Sequence, residues 1–310
     1  MTIDETPWRT RPRFDIDSIV QHKRLKDPRR PFEFAELDVN GTVVRYCTSS
    51  AGSRWRVQTL FTKEPGTIDW IDAFEPNDVF LDVGANVGMY SIYAGVVARA
   101  VVYAIEPESQ NYAELNRSIF LNSAHQTILA YCMALTDKSV EVSRLILNDM
   151  ATGLSFHDFG EPSANAADGK RLMQGSVAFS LDHLVATGAF PAPDHIKIDV
   201  DGHENRVIDG MRGQLEHGEV RTVLLECDPA LPHTREIVQW MLGGGWQVNP
   251  DQLRLSREGL RPADPVLAEL RAGTYVGNVI FGRKADDLAY ATRALERFSP
   301  AELESMRLAE

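Results

Sequence analysis

The chain is poor in cysteine and lacks long apolar runs. Its 310 residues include only three cysteines, which are far apart and show no CxxC spacing. This scarcity excludes a zinc knuckle or a disulfide framework and favours a reducing cytoplasm. No window approaches the roughly 20 apolar residues of a membrane-spanning helix, and the opening MTIDETPWRTRPRF lacks the apolar stretch of a signal peptide. We therefore expect a soluble cytoplasmic protein without a membrane span.

Positive charge is also scarce. The chain has 44 acidic against 32 basic residues, a net charge of −12, which repels phosphate backbones and argues against a nucleic-acid partner. Residues 9–30 are the exception, with eight bases against three aspartates. A solvated surface arm is the favoured interpretation of this run, and docking of an anionic substrate or carrier is the alternative. Nothing in the sequence indicates an oligomeric state.

Apolar strands alternate with amphipathic helical segments from residue 79 onward, which is typical of a doubly wound α/β fold with helices on both faces of a parallel sheet. Strands are predicted near 79–83, 101–105, 128–132, 195–199, 221–226 and 276–281. Helices are predicted near 87–98, 109–122, 203–217 and 231–243. The Asn40-Gly41 dipeptide predicts a β-hairpin before the sheet.

These patterns divide the chain into three parts. Residues 1–74 form an N-terminal arm, a hairpin and a lid helix, 75–284 form the main domain, and 285–310 form a helical tail. Within the main domain, residues 139–180 predict a long loop between two hairpin-like strands. Loops of that length are often lids or substrate elements.

The stretch FLDVGANVGMYS, residues 80–91, has the form of a strand-to-helix loop that meets a ligand. Gly84 permits a sharp bend near the ligand, Gly88 permits close helix packing, and Asn86 lies between them. The pattern G-x-x-x-G differs from the dinucleotide fingerprint G-x-G-x-x-G, and the carboxylate of Asp82 would repel a pyrophosphate. It would attract a sulfonium, which favours S-adenosylmethionine over NAD.

The second and third strands supply further cofactor candidates. Glu106 ends the second strand 22 residues beyond Gly84, the distance at which an acidic side chain accepts hydrogen bonds from ribose hydroxyls. Capping of the following helix is the alternative role for this glutamate. Met133 and Ala134, at the exit of the third strand, are expected beside the adenine, although packing alone also explains them.

Six motifs occur in an order that resembles the FkbM family of S-adenosylmethionine-dependent methyltransferases. They are FLDVGANVGMYS, YAIEPESQNYAELNRSIFLN, FSLDHL, HIKIDVDGHENRVIDGM, VLLEC and VGNVIF, and the resemblance covers roughly residues 60–282. It implies a class I methyltransferase sheet of seven strands with the last antiparallel, and methyl transfer to a hydroxyl of a sugar, polyketide or related small metabolite. The EP pair, Glu106 and Pro107, belongs to this pattern, whereas Asp201 and His203 depart from it.

A base is expected across the cleft, because a hydroxyl nucleophile must lose its proton. Asp199 ends the fourth strand, and Asp201 and His203 follow it; His203 titrates nearest neutrality. Glu204 is more simply explained as favouring the N-terminus of the next helix. As an alternative, Asp199, Asp201, His203 and Glu226 could hold Mg²⁺ and activate the hydroxyl.

Two further motifs are open to a structural explanation. Asp182 is interpreted as capping the helix that it opens. Glu64 and Thr67 could close over the methionine end of the cofactor, but turn formation is the simpler explanation. The rival functions are an NAD-linked oxidoreductase and a non-catalytic module that binds a nucleoside or sugar.

Overall fold

The computed structural model describes residues 21–24, 32–147, 149, 151–154, 157–160, 172–256, 259–260 and 263–291. Most of the basic arm, the middle of the loop predicted within 139–180, and the tail beyond 291 lie outside the described residues. Within the described ranges no helix is both long and apolar enough to cross a membrane. The three cysteines are all unpaired.

The described chain contains these strands: β1 Gln21–Arg24, β2 Glu33–Val39, β3 Thr42–Cys47, β4 Val79–Val83, β5 Val101–Ile105, β6 Ile128–Tyr131, β7 Ala134–Leu135, β8 Val140–Leu147, β9 Asp158–Phe159, β10 Leu172–Phe179, β11 His195–Ile198, β12 Thr222–Cys227, β13 Gln247–Val248, β14 Leu255–Ser256, β15 Gly259–Leu260 and β16 Gly277–Gly282. The α-helices are α1 Ala51–Gln58, α2 Pro65–Ile71, α3 Met89–Tyr93, α4 Ser109–Leu121, α5 Leu181–Ala186, α6 Glu204–Asp209, α7 Arg212–His217, α8 Pro232–Gly243, α9 Pro250–Arg254 and α10 Ala263–Ala272. A π-helical segment, Ala94–Ala98, continues α3, and a 3₁₀ turn covers Ala285–Leu288.

Seven strands form the central sheet in the order β13-β16-β12-β11-β4-β5-β6. Strands β12, β11, β4, β5 and β6 pair in parallel, and β16 runs antiparallel to both of its neighbours. Side chains along β4 alternate between two cores: Phe80 belongs to one apolar cluster, and Leu81 and Val83 belong to the other. The doubly wound sheet with an antiparallel last strand is confirmed, since only a sheet covered on both faces buries both sets.

The N-terminal hairpin packs on one face of this sheet. Strands β2 and β3 pair antiparallel around Asn40 and Gly41, both of which have positive φ, so the predicted hairpin is confirmed. Tyr46 of β3 is buried, and its hydroxyl donates to the carbonyl of Met89 in α3 at 3.0 Å. The hairpin thereby shares one apolar core with α2, α3 and the sheet, and Val57 of α1 belongs to the same core.

The predicted helix over 203–217 is wrong, because the chain forms two short helices there, α6 and α7. Gly210 separates them and lies so close to the backbone of Thr136 that a Cβ would be 1.9 Å from its carbonyl oxygen. Asp182 caps α7, where its carboxylate accepts the backbone N–H groups of Gly213 and Gln214. Its predicted cap on α5 is made instead by Ser180.

A smaller sheet, in the order β7-β10-β8-β9, lies beyond β6 in the chain. Strands β8 and β10 pair antiparallel along their full length, from Val140 opposite Phe179 to Leu147 opposite Leu172. The two hairpin-like strands predicted on either side of the long loop are therefore present. Strand β9 adds to the other edge of β8 and brings Asp158 and Phe159 back toward the central sheet.

Candidate functional site

A cavity of about 770 Å³ opens at the carboxyl ends of β4, β5, β11 and β12. It is lined by nine of the residues predicted from the sequence: Gly84, Asn86, Glu106, Pro107, Ala134, Asp199, Asp201, His203 and Glu226. Four others do not line it: Thr67, Asp82, Gly88 and Met133. One cavity thus joins a cofactor half, which contains Glu106 and Ala134, to a reaction half, which contains Asp199 and His203. Its volume is within the range of small-molecule sites.

The loop after β4 turns sharply beneath this cavity. Gly84 has φ +83°, and a Cβ on it would be 1.8 Å from the carbonyl oxygen of Asp199. The backbone N–H groups of Gly84 and Ala85 both donate to the carbonyl of Ile105 at 3.0 Å. Glycine is required here because the loop crosses the end of β11 at backbone contact distance. Gly88, also at positive φ, packs against Leu115 of α4.

Glu106 lies at the exit of β5 and is 5% exposed. Its carboxylate accepts the backbone N–H groups of Asn86 at 2.8 Å and Glu108 at 2.9 Å. Burial raises the pKa of Glu106 from 4.5 to about 7, against the lowering effect of these two hydrogen bonds. The alternative role for Glu106, capping of the following helix, is performed instead by Glu108, whose carboxylate accepts the backbone N–H groups of Gln110 and Asn111.

Asp82 lies below the cavity rather than in its wall. It is buried, its Oδ2 accepts the hydroxyl of Ser91 at 2.5 Å, and its Oδ1 has no hydrogen-bond partner. Burial raises the pKa of Asp82, while the charge of Lys197 acts to lower it. The positive charge that most lowers the pKa of Asp82 is therefore the ammonium of Lys197, a group of the protein itself.

Lys197 of β11 holds the acidic groups at the base of the cavity. Its side chain is 2% exposed, and its Nζ lies 2.6 Å from Oδ2 of Asp199 and 5.2 Å from the ring centroid of Tyr90. Burial opposes the ammonium charge, but the carboxylates of Asp199, Asp82 and Glu64 outweigh it and raise the pKa of Lys197. A charged lysine is tolerated in a buried strand because these groups compensate it.

Asp199 and Glu226 form a carboxyl pair next to this ammonium. Burial acts to raise the pKa of Asp199, but Lys197 outweighs it, and the net pKa is lowered. The negative charge of Asp199, followed by burial, raises the pKa of Glu226. The pair consequently holds one proton near neutrality, with Asp199 ionised and Glu226 protonated.

His203 lies at the edge of the cavity against β9. Its Nε2 accepts the backbone N–H of Phe159 at 3.4 Å and lies 3.7 Å from Oδ1 of Asp158. Burial lowers the pKa of His203 below its usual 6.5, while Asp158 acts to raise it. The imidazole is therefore neutral at pH 7, with a carboxylate placed to stabilise its protonated form.

Glu204, next to His203, has a structural role. Its Oε1 accepts the backbone N–H of Gly202 at 3.1 Å, and its Oε2 lies 3.2 Å from Nε2 of His233. Asp201 precedes it with φ +52° and turns the chain between β11 and α6. The carboxylate of Glu204 thus holds the turn that presents Asp201 and His203 to the cavity.

The remaining candidates pack around the site. Thr67 is buried; its hydroxyl donates to Glu64 at 3.2 Å, and Glu64 also accepts from Asn278 of β16 at 2.8 Å. These contacts tie α2 to the sheet behind the cavity. Met133 is buried in an apolar core, whereas Ala134 and Leu135 form an apolar part of the cavity wall.

Residues 151–154, which we name the crossing segment, close one side of the cavity. The backbone N–H of Gly153 donates to Oδ1 of Asn111 at 2.8 Å. The carbonyl of Leu154 accepts from the side-chain amides of Asn86 at 2.7 Å and Asn111 at 3.2 Å. On the other side, Ser50 donates to the carbonyl of Thr152 at 2.7 Å. The crossing segment thereby links the loop after β4 to helix α1.

The sheet order and the cavity at the strand ends agree with the comparison of the chain with known families. Residues 82–248, more than half of the chain, match the family described as "Methyltransferase FkbM domain". The chain belongs to the FkbM methyltransferase family. It is therefore an S-adenosylmethionine-dependent methyltransferase.

One curated relative of this FkbM methyltransferase is the "Hexuronic acid methyltransferase AglP" of Haloferax volcanii. The two chains are 28% identical over 194 residues, which cover 61% of this chain and 72% of AglP.

Similar solved structures include the precorrin-6y C5,15-methyltransferase of Geobacter metallireducens GS-15, which is 14% identical to this chain with a TM-score of 0.37. The match covers 60% of this chain and 72% of that one. M. jannaschii TYW2 in complex with AdoMet is 12% identical, with 81% and 87% coverage and a TM-score of 0.36. M. capricolum TrmK in complex with S-adenosyl-homocysteine is 8% identical, with 70% and 67% coverage and a TM-score of 0.39. These distant similarities add nothing about the acceptor.

The cavity of this FkbM methyltransferase fits a nucleoside cofactor on its own chemistry. A buried carboxylate, Glu106, stands at the end of β5, where ribose hydroxyls can donate to it. Ile105, Ala134 and Leu135 supply an apolar wall of the kind that an adenine packs against. Asn86 and Pro107 border the same region.

The donor set fits Mg²⁺ poorly. Oxygens of Asp199, Asp201 and Glu226 lie within 4.8 Å of one another, and His203 is not part of that group. The ammonium of Lys197 already binds Oδ2 of Asp199 at 2.6 Å. Because Lys197 already compensates the charge of Asp199, this group offers little free anionic charge to a divalent cation, and we derive no step through a metal.

The sequence predicted no role for Lys197 or for the residues of α1, and it placed the crossing segment only within a long loop of the kind that often forms a lid or substrate element. A lysine inside the apolar strand HIKI is a readable signal, because a buried ammonium requires acidic partners. Trp55, Arg56 and His157 also line the cavity. Their sequence context carries no comparable signal, because only tertiary packing brings them to it.

Proposed function

We propose that this FkbM methyltransferase transfers a methyl group from S-adenosylmethionine to a hydroxyl oxygen of a small metabolite, with a sugar as the acceptor class. The observation that carries the proposal is the single cavity that joins Glu106 and its apolar wall to Asp199, Glu226 and His203. The hexuronic acid named for the relative AglP supports an acidic sugar.

The residues of the cofactor half bind and orient S-adenosylmethionine. Glu106 accepts the ribose hydroxyls, Ala134 and Leu135 pack against the adenine, and Asn86 holds the crossing segment over them. When bound, the cofactor supplies an electrophilic methyl group on a sulfonium, so that the new C–O bond forms as the C–S bond breaks. The protein contributes alignment of the acceptor oxygen, which accounts for much of the rate of a two-substrate reaction.

The residues of the reaction half handle the proton. Neutral His203 takes the proton of the acceptor hydroxyl at Nε2, which gives up its 3.4 Å contact with the backbone N–H of Phe159 for this step. Asp158, 3.7 Å from Nε2, stabilises the resulting imidazolium. Asp199, kept ionised by Lys197, accepts a hydrogen bond from the acceptor, and protonated Glu226 donates one. Asp199 is a weak base because its pKa is lowered, which favours His203 for proton removal.

A carboxylate oxygen is the second candidate acceptor atom, because the hexuronic acid named for AglP carries a carboxyl group. A carboxylate is already ionised at pH 7, so its methylation needs no base. The two candidates give different products: a methyl ether from a hydroxyl and a methyl ester from a carboxylate.

The test is methyl transfer from radiolabelled S-adenosylmethionine to a panel of neutral and acidic sugars, with product analysis by mass spectrometry. Mild alkali cleaves a methyl ester and leaves a methyl ether intact. An alkali-stable methyl sugar supports the proposal. Quantitative release of the label by alkali contradicts hydroxyl transfer and supports the carboxylate, and no transfer to any sugar contradicts the acceptor class.

A further inference from the structure

Two neighbouring residues of helix α1, Trp55 and Arg56, both line the cavity, although α1 precedes the central sheet in the chain. Trp55 is 44% exposed, a large fraction for so apolar a side chain. An indole presented at the mouth of a cavity is a flat surface against which the C–H face of a pyranose ring can pack. Trp55 lines the same cavity as Asp199, Glu226 and His203.

Arg56 is distinguished from the cations around it by its partners. Its Nε donates to the backbone carbonyl of Gly153 at 2.8 Å, and among the described residues no carboxylate pairs with it. By contrast, Lys63 lies 2.6 Å from Glu64, and Arg54 lies 3.5 Å from Glu33. Arg56 thus keeps guanidinium donors available for an anion, and a guanidinium matches the two oxygens of a carboxylate.

Helix α1 is held firmly in this position. Ser50 caps its first turn, and Gly52 packs so closely on the crossing segment that a Cβ would be 2.8 Å from the carbonyl oxygen of Thr152. The bond from Arg56 to Gly153 closes the same contact. Preorganised side chains of this kind bind with a smaller entropic cost than mobile ones.

The opposite side of the cavity does not repel an anion as strongly as its acidic residues suggest. The charge of Asp199 is compensated by Lys197 at 2.6 Å, and the pKa of Glu226 is raised by the charge of Asp199 and by burial, which favours its neutral form. The neutral carboxyl of Glu226 is suited to a sugar hydroxyl. The cavity therefore presents polar groups at its base and an aromatic ring and a cation at its mouth.

We propose that Trp55 and Arg56 form the acceptor subsite and select an acidic sugar, with Trp55 packing on the pyranose ring and Arg56 binding its carboxylate. This inference rests on the proposed function, since it assigns the acceptor side of the same cavity. It makes both residues determinants of specificity.

The experiment measures binding of two sugars to the full chain saturated with S-adenosyl-homocysteine. Methyl β-D-glucuronide and methyl β-D-glucoside share their ring and differ in the carboxylate, so isothermal titration with each isolates the contribution of Arg56. The variants are Arg56→Gln, Arg56→Lys, Trp55→Ala and Trp55→Phe. Arg54→Gln on the same helix and Phe120→Ala, at an exposed position outside the cavity lining, are the matched controls.

We expect the wild type to prefer the glucuronide. Arg56→Gln should weaken glucuronide binding about tenfold and leave glucoside binding unchanged, because a charge-assisted interaction is lost. Trp55→Ala should weaken both sugars about fivefold, and Trp55→Phe should restore most of that loss. Both controls should bind both sugars as the wild type does.

Three results of the sugar titrations would overturn the inference: equal affinity of the wild type for the two sugars, no binding of either sugar, or unchanged glucuronide binding in Arg56→Gln. S-adenosyl-homocysteine affinity is measured in parallel, because the cofactor also carries a carboxylate. A loss of that affinity in Arg56→Gln would assign the residue to the cofactor and likewise overturn the inference. Failure of the wild type to bind S-adenosyl-homocysteine at all would instead contradict the proposed function.

Discussion

At the scale of the residue, Glu106 is the group on which cofactor binding depends most directly. Glu106→Gln keeps the size of the side chain but removes the charge that ribose hydroxyls would donate to. We expect affinity for S-adenosyl-homocysteine to fall at least about tenfold, since hydrogen bonds to charged groups contribute about 1.5–3 kcal/mol. Isothermal titration calorimetry measures the change, and Glu75→Gln, at an exposed position, is the control.

The raised pKa of Glu106 also gives this affinity a pH dependence. In the ligand-free protein the pKa is about 7, so the fraction of ionised carboxylate increases between pH 6 and pH 8. The ionised form is the better acceptor, and the affinity of the wild type should therefore rise over this interval. The Gln variant should show no such rise, and unchanged affinity of that variant at pH 8 would refute the role of Glu106.

His203 governs the chemical step in the proposed mechanism. His203→Gln should lower kcat about a hundredfold or more, the usual contribution of a general base, while the affinity for the cofactor stays unchanged. In the wild type, kcat should decline as the pH falls below the lowered pKa of His203, because the protonated imidazole accepts no proton. His217→Gln, with a side chain that is 83% exposed, serves as the control. Full activity of His203→Gln across pH 6–9 would remove the residue from the mechanism.

At the scale of the element, the crossing segment depends on Asn111 of α4. Asn111→Ala removes a donor to Leu154 and an acceptor for Gly153. The buried N–H of Gly153 then lacks this partner, whereas the carbonyl of Leu154 keeps its bond from Asn86. We expect a loss of about 1–3 kcal/mol in the free energy of unfolding and faster hydrogen exchange in residues 151–154. Asn116→Ala on the same helix, where the amide donates to Tyr112, is the control. Equal exchange in both variants would show that the segment is held by other contacts.

The elements that the sequence predicted well are those whose patterns are local. The strands of the sheet were readable because each is a short apolar run, and Glu106, Asp199 and His203 were placed on one cavity because strand ends meet at one edge of a parallel sheet. The split between α6 and α7 was not readable: Gly210 contacts Thr136, and the cap of α7 comes from Asp182, both distant in sequence. The positions of Trp55 and Arg56 at the cavity could not be predicted for the same reason, since contacts with the hairpin and the crossing segment determine where α1 lies.

At the scale of the whole molecule, the two edges of the sheet have different roles. The carboxyl ends of its strands carry the cavity, and the amino ends carry a buried polar chain. Trp70 donates to the hydroxyl of Thr222 at 2.7 Å, and that hydroxyl lies 2.6 Å from Nδ1 of His195. Nε2 of His195 lies 3.1 Å from Asp78, which also pairs with Arg221. Arg221 also contacts Nε2 of His195 at 3.2 Å, so the two ring nitrogens share contacts with a hydroxyl, a carboxylate and a guanidinium.

This chain of hydrogen bonds predicts that stability falls in acid. Burial lowers the pKa of His195 below its usual 6.5, against the opposing effects of Asp78 and Asp194 and in the same direction as Arg221. In the unfolded chain His195 recovers its ordinary pKa and binds a proton more readily. The stability that neutral His195 provides is therefore present above pH 6.5 and is lost as the pH falls below it. The lowered pKa of Asp78 acts in the same sense at lower pH.

Urea unfolding followed by circular dichroism at pH 5, 6, 7 and 8 measures this loss. His195→Phe keeps an aromatic ring against Phe74, on which the imidazole stacks at 3.9 Å, but cannot bind a proton. It should be less stable than the wild type at pH 7, because Thr222 and Asp78 lose a partner, and its stability should decline less between pH 7 and pH 5. His203→Gln reports the separate contribution of the half-buried imidazole of His203, which lines the cavity. A His195→Phe variant that lost stability in acid as steeply as the wild type would show that the pH response arises elsewhere in the molecule.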